Sequence, residues 1–216
     1  MTIGIQKFDL PYFSFELYDV TFFGDTIKTL VTATPSIVDT WISDMERLHS
    51  ARLHKLIVGL DIEWRPGPNP AATLQLCVGR NCLIFQLIVA PEIPQSLRNF
   101  LLDYTFVGVG IGNDVQKLQD AYGLDVSNTV DLCYLAASEF GENWLRSAGL
   151  ARLAGEVLGK NFEKPRWVTL SDWDDAWLSH DQIQYACVDA FVSFEIGRCL
   201  NAVFRNVFLM KIMESF

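Results

Sequence analysis

The stretch from Leu56 to Glu63, L-I-V-G-L-D-I-E, constrains this chain more than any other, because an apolar run of strand length ends in two carboxylates. A run this apolar suits a strand buried on both faces, which is the strand of a layered α/β protein. Alternation along a strand puts Asp61 and Glu63 on one face. Adjacent acids are costly to bury unless positive charge lies between them, so the pair either marks the strand's exit to solvent or holds a cation.

The 216 residues fit one domain, and with 50% apolar and 20% charged side chains they can bury a sizeable core. Lys and Arg number 17 against 26 Asp and Glu, a formal charge of −9. That balance argues against a broad basic face gripping duplex nucleic acid, yet allows an enzyme that gathers a few cations or metal ions at one site. The cysteines Cys77, Cys82, Cys133, Cys187 and Cys199 are odd in number and form no C-x-x-C pair, which favours reduced thiols over a disulfide framework. With His49, His54 and His180 scattered, no zinc spacing emerges. Met1 to Leu10 lacks a basic segment leading into an apolar one, and no run reaches the ~18 apolar residues of a membrane span. The expectation is a soluble chain without membrane attachment, cytoplasmic, with the nucleus as the other compartment open to it.

Periodicity predicts α/β with a mixed sheet. A hairpin over Tyr18 to Ala33 breaks at Gly24-Asp25, and Ser36 is an N-cap candidate for a helix carrying Ile37, Trp41, Met45 and Leu48. Thr73 to Val78 and Cys82 to Leu87 read as antiparallel strands joined at Gly79-Arg80-Asn81. Pro94 opens a helix to about Asp103, Phe106 to Ile111 is a short strand, Asn113 to Tyr122 a helix, and Thr129 to Asp131 a strand; the rest is mostly helical. The domain divides into a β-rich and helical extension (1–55), a core (56–200) and an apolar C-terminal helix (201–216).

Two further acids stand out. Asp114 follows the turn Gly108-Val109-Gly110-Ile111-Gly112. A dinucleotide fingerprint fails there because Asn113 occupies the place of the third glycine. Asp114 is otherwise an acid in a helix's first turn, where the macrodipole favours it. Tyr185 and Asp189 are four apart on a predicted helix and share a face. Such a pair is ordinary, but an acid in so apolar a helix is less so. Four carboxylates without a paired His or Cys suit hard, oxygen-seeking cations, Mg²⁺ or Mn²⁺.

A strand-end D-x-E, an Asp after a glycine turn and a late Y-x-x-x-D resemble the DnaQ-like 3′–5′ exonucleases, in the branch with tyrosine in its third motif that includes the Werner syndrome-type exonucleases. The resemblance runs from Leu56 to Leu200 and includes Trp64, the run Val107 to Ile111, Gly159-Lys160, Lys164, Ser171-Asp172-Trp173, Leu178 and Gln182. It implies a ribonuclease H-like fold, a mixed, mostly five-stranded sheet flanked by helices. It also implies two Mg²⁺ or Mn²⁺ ions held by Asp61, Glu63, Asp114 and Asp189. Asp61 would bridge both ions, Glu63 and Asp189 would complete the nucleophile-side ion, Asp114 would serve the second, and Tyr185 would position the attacking water. The implied reaction is 3′→5′ hydrolysis to nucleoside monophosphates. His180 lies nine residues before Asp189, too far along to replace the tyrosine as histidine does in the sister branch.

Lys160, Lys164 and Arg166 form the most cationic short stretch, either a solvated loop or contacts to substrate phosphates. Trp64 either packs in the core or stacks on the terminal base. The apolar stretch from Phe191 to Phe216 either folds back into the core or forms a subunit interface through residues such as Phe208. Short plant relatives look similar, some of them ring-forming exoribonucleases that associate with Argonaute silencing complexes and clear RNA fragments. That likeness favours single-stranded RNA, a homo-oligomer such as a hexamer, and an Argonaute partner. The alternatives are a Werner-like DNA exonuclease in repair and a non-catalytic adaptor; degenerate adaptors typically lose an acid, whereas all four acids and the tyrosine stand here.

Overall fold

The computed structural model describes residues 2–11 and 14–202. Three antiparallel strands come first, β1 (Ile3–Lys7), β2 (Glu16–Phe22) and β3 (Asp25–Thr32), with β2 and β3 joined at the Gly24 turn. Helix α1 (Pro35–Leu48) follows. Then come β4 (Ile57–Glu63), β5 (Thr73–Val78), β6 (Asn81–Phe85), α2 (Gln95–Asp103), β7 (Thr105–Gly108), α3 (Ile111–Tyr122) and β8 (Thr129–Asp131). The last part is helical: α4 (Leu132–Phe140), α5 (Leu150–Leu158), the single turn α6 (Arg166–Thr169) and α7 (His180–Cys199).

Among the described residues the strands form one eight-stranded sheet in the order β1-β2-β3-β6-β5-β4-β7-β8. Its right-hand part, β6-β5-β4-β7-β8, is the five-stranded mixed sheet expected from the sequence. What differs is the N-terminal extension, which continues that sheet because β3 pairs in parallel with β6, Leu30 opposite Leu83. The edge strand β1 is likewise absent from the sequence-based reading. Several boundaries also move, among them β6, found at Asn81–Phe85 where Cys82 to Leu87 was expected. Thr34, not Ser36, is the α1 N-cap residue, because Pro35 enters the first turn with its fixed φ. The strand expected over Phe106–Ile111 stops at Gly108, and α3 starts at Ile111 rather than Asn113, because Gly110 turns the chain at a φ of 70°.

Two cores lie on the two faces of the sheet. Val58, Leu60 and Ile62 point to the side packed by α1, α2 and α3. The opposite face packs against α4, α5 and α7. Helix α7 is buried on nearly all sides, which is why its sequence shows apolar residues around the whole cylinder rather than one stripe. It begins with a capping box in which Ser179 accepts from the Gln182 amide and Gln182 accepts from the Ser179 amide. Phe191 lies in the core and Phe194 packs against it, so this part of the apolar C-terminal stretch folds back. The interface expected around Phe208 lies outside the described residues, as does most of 201–216. Among the described residues no helix is long and apolar enough to cross a membrane.

Candidate active site

The acids converge at the C-terminal ends of the parallel neighbours β4 and β7, the side of an α/β sheet where loops and helix starts leave a crevice. Gly59, Asp61 and Glu63 share the face that α7 covers. Gly59 is what lets the helix lie so close: a Cβ there would stand 2.0 Å from the Ala190 carbonyl oxygen and 2.7 Å from the Phe194 amide nitrogen. Close packing brings Asp189 to the end of β4. Carboxylate oxygens of Asp61, Glu63 and Asp189 all lie within 4.8 Å of one another. Asp61 as a whole residue is partly accessible, yet its Oδ2 is buried without a hydrogen-bond partner. Asp114, in the first turn of α3, is buried and stands outside this trio, though its charge raises the pKa of both Asp61 and Glu63.

Lys164 reaches into the cluster and forms an ion pair with Asp189, its ammonium 4.8 Å from the centre of the Tyr185 ring. One ammonium does not balance four carboxylates. Burial, and then the neighbouring charges of Asp189 and Glu63, push the Asp61 pKa well above the carboxylate range. Burial and Asp189 push Glu63 up to about 9, and burial with Asp131 pushes Asp114 up to about 7. Burial also raises Asp189, against the pull of Lys164. Burial works against the Lys164 ammonium, but Asp189 and Asp61 outweigh it and hold its pKa above the ordinary value. Tyr185, raised to about 12 by burial and then by Asp189, stays a phenol at neutral pH.

A set of hard oxygen donors, with Asp61 Oδ2 buried without a hydrogen bond, Asp189 Oδ2 buried with only the Lys164 ion pair, and carboxylates that resist ionisation, fits divalent cations. The pKa directions give a test. Glu63 ionises near 4.5 when unfolded and near 9 when folded, so the stabilisation from its protonated form is complete below about 4.5 and is lost as pH rises towards 9. In EDTA the melting temperature should therefore fall between pH 5 and pH 9, by about 5 °C or more. Millimolar Mn²⁺ or Mg²⁺ should flatten that slope. A metal-free protein whose melting point does not change over this range would contradict the buried-carboxylate picture.

The remaining sequence-based candidates are placed variously. Lys164 sits in the cluster. Arg166 is exposed at the start of α6. Lys160 is engaged elsewhere, 2.9 Å from Asp25 Oδ2 and over the Phe22 ring. Trp64 is half-buried against the α1–α3 core, with the Lys117 ammonium 4.8 Å above its ring. His180 is the first residue of α7 and meets Tyr18 edge-on at 5.6 Å.

Two residues escaped the sequence reading. Asp131, at the end of β8, accepts from the Gly110 amide at 3.0 Å and the Cys133 amide at 2.8 Å. It thereby fixes the turn that presents Asp114 and caps α4. An Asp at a strand end just before an apolar helix is a legible N-cap signal. Thr169 places its Oγ1 2.9 Å from the Tyr185 hydroxyl, a contact no sequence pattern announces.

A protein-family model described as 3′–5′ exonuclease matches residues 36–204. A 3′–5′ exonuclease of Arabidopsis thaliana is 38% identical over 152 residues, which are 67% of this chain and 52% of that protein. The bifunctional 3′–5′ exonuclease/ATP-dependent helicase WRN of Mus musculus is 31% identical over 155 residues, 67% of this chain and 11% of that protein. The chain thus spans about half the length of the first relative and a small part of the second. Among solved structures, the Aedes aegypti Nibbler EXO domain matches with a TM-score of 0.63 at 19% identity, covering 82% of this chain and 88% of that one, a likeness of fold.

Proposed function

Because the chain belongs to the 3′–5′ exonuclease family, we propose that it shortens single-stranded nucleic acid from the 3′ end, RNA in preference to DNA, releasing nucleoside monophosphates. The observation that carries this reading is the trio Asp61, Glu63 and Asp189, oxygens within 4.8 Å, with Tyr185 one helical turn from Asp189. Two Mg²⁺ or Mn²⁺ ions, held by these three acids and Asp114, would supply Lewis-acid stabilisation at the phosphate and a more acidic water.

The chain's own residues do the rest. A water oxygen bonds to the terminal phosphorus and gives up a proton to solvent, the bond to the 3′ oxygen of the preceding nucleotide breaks, and that oxygen takes up a proton from solvent and leaves as the new 3′ hydroxyl. Tyr185 holds the water by hydrogen bonding, because a phenol ionising near 12 does not take its proton at neutral pH. Lys164 offers its ammonium to the incoming phosphate charge, with Arg166 on the rim and Trp64 beside the ligands as the stacking surface for a base. The chain's −9 charge favours a footprint of a few nucleotides. The preference for RNA and an Argonaute partner rest on the likeness to short plant exoribonucleases, a homo-oligomer on that likeness and the apolar stretch from Phe191 to Phe216, and a cytoplasmic place of action on the reduced-thiol reading of the five cysteines.

The test is an assay with 5′-labelled single-stranded RNA, single-stranded DNA and a recessed DNA 3′ end, each with Mg²⁺, Mn²⁺ or EDTA. Stepwise shortening from the 3′ end, dependent on metal and fastest on RNA, is the expected result. Faster cutting of the recessed DNA end would replace the RNA reading with the repair one. No cutting of any substrate would overturn the nuclease reading.

A further inference from the structure

The Tyr185 hydroxyl is held from behind. Thr169 Oγ1 lies 2.9 Å from it, and Thr169 is itself fixed on several sides. Its carbonyl accepts from Trp173 Nε1 at 3.3 Å, and the fully buried Trp173 ring packs 6.0 Å from the Tyr185 ring. One residue back, the Val168 carbonyl accepts from Ser171 Oγ at 2.6 Å. Ser171 Oγ in turn accepts from Gln182 Nε2 at 3.0 Å, and the same amide donates to the Asp172 carbonyl at 3.2 Å. Gln182 belongs to the capping box of α7, and Tyr185 lies one turn further along the same helix. The path from α7 through Gln182, Ser171, Val168 and Thr169 back to Tyr185 is closed, so the single turn α6 cannot shift without breaking several buried or half-buried hydrogen bonds.

A phenolic O–H lies in the plane of its ring and has two favoured orientations. A partner on one side fixes which hydrogen-bonding direction remains for a third group. We propose that Thr169 is a positioning residue for the reaction: its hydroxyl fixes the rotation of the Tyr185 hydroxyl, so that the hydrogen-bonding direction left free stays set for the attacking water. If Thr169 donates, the Tyr185 O–H is left to donate to a third group; if Tyr185 donates, its oxygen is left to accept; in both cases one hydrogen-bonding direction of Tyr185 is occupied. The inference rests on the nuclease reading above and assigns α6 a task within it.

The experiment compares Thr169→Val, which keeps the shape and loses the hydroxyl, with Thr169→Ser, which keeps the hydroxyl, each alone and on a Tyr185→Phe background. Thr169→Val should lower kcat about fivefold with KM within twofold, as expected for one orienting hydrogen bond. Thr169→Ser should stay within twofold of wild type. On the Tyr185→Phe background, Thr169→Val should cost nothing more, because the hydroxyl it orients is gone. Thermal melts of every variant show whether the fold is kept. Wild-type kcat in Thr169→Val overturns the proposal, as does an equal loss on both backgrounds or a Thr169→Ser as slow as Thr169→Val. Wild-type protein that cuts nothing overturns the nuclease reading itself, a failure separate from any difference among variants.

Discussion

Asp61→Ala should abolish cleavage, by on the order of 10³-fold or more as when a preorganised electrostatic partner is lost, and should leave the metal-free protein at least as stable as wild type. Both halves follow from the geometry. Asp61 stands near the end of strand β4 with a carboxylate oxygen within 4.8 Å of those of Glu63 and Asp189, so its removal takes one of three adjacent ligands out of the cluster. Its buried Oδ2 has no hydrogen-bond partner, and burial with two adjacent carboxylates disfavours its charge. Deleting an unsatisfied buried polar group removes a desolvation penalty, and deleting one of several like charges relieves its neighbours. Asp61→Asn keeps the shape and should behave the same way in the activity assay. Single-turnover cleavage with Mg²⁺ and melting in EDTA check the two halves separately. Turnover within tenfold of wild type in either variant would remove Asp61 from the centre of the chemistry. A melting point several degrees lower in EDTA would mean that its carboxylate is satisfied in the fold.

The site was more legible than the sheet that carries it, for physical reasons. Asp61 and Glu63 could be read from alternation on one strand, and Tyr185 with Asp189 from spacing on one helix, because both pairs are local. Asp114 was visible through its glycine turn, though the hydrogen bond from the Gly110 amide to Asp131 that holds this turn depends on the pairing of β7 with β8. The extension of the sheet from five strands to eight depends on β3 meeting β6, whose residues lie about fifty positions apart, and on a short edge strand, Ile3–Lys7, with little pattern of its own. Lys164 was marked as cationic and near the substrate. Its partner Asp189 is set by the path of the loop before α6, which propensity does not describe. Lys160 carries the same charge four residues earlier and pairs instead with Asp25 on the hairpin turn. Thr169 was silent because a threonine in a short turn has many neighbours available and only the fold selects Tyr185.

Gly59→Ala should damage both the fold and the activity, although it adds only one methyl group. The added Cβ would lie 2.0 Å from the Ala190 carbonyl oxygen and 2.7 Å from the Phe194 amide nitrogen, and both obstacles are backbone of α7. No rotamer change relieves such a clash, so the helix must move away from β4. Overpacking of this kind costs about 3 kcal/mol, equivalent to a melting temperature lower by about 6–12 °C in a chain of this size. The same displacement carries Asp189 away from Asp61 and Glu63, and a misplacement near 1 Å is worth about 10²-fold in rate. Gly112→Ala separates this effect from the general cost of replacing glycine. It lies in α3 two residues before Asp114, and a Cβ there meets nothing within 4 Å. That variant should keep activity within about twofold, with a gain of up to ~1 kcal/mol from helix propensity. If Gly59→Ala melts and cuts like wild type, α7 is not held against β4 as closely as the structure has it, and the trio of acids owes its geometry to something other than that contact. If it melts lower while cutting normally, the helix has yielded around Ala190 and Phe194 without carrying Asp189 with it. Loss of both, with Gly112→Ala unaffected, ties the geometry of the acids to a single residue without a side chain.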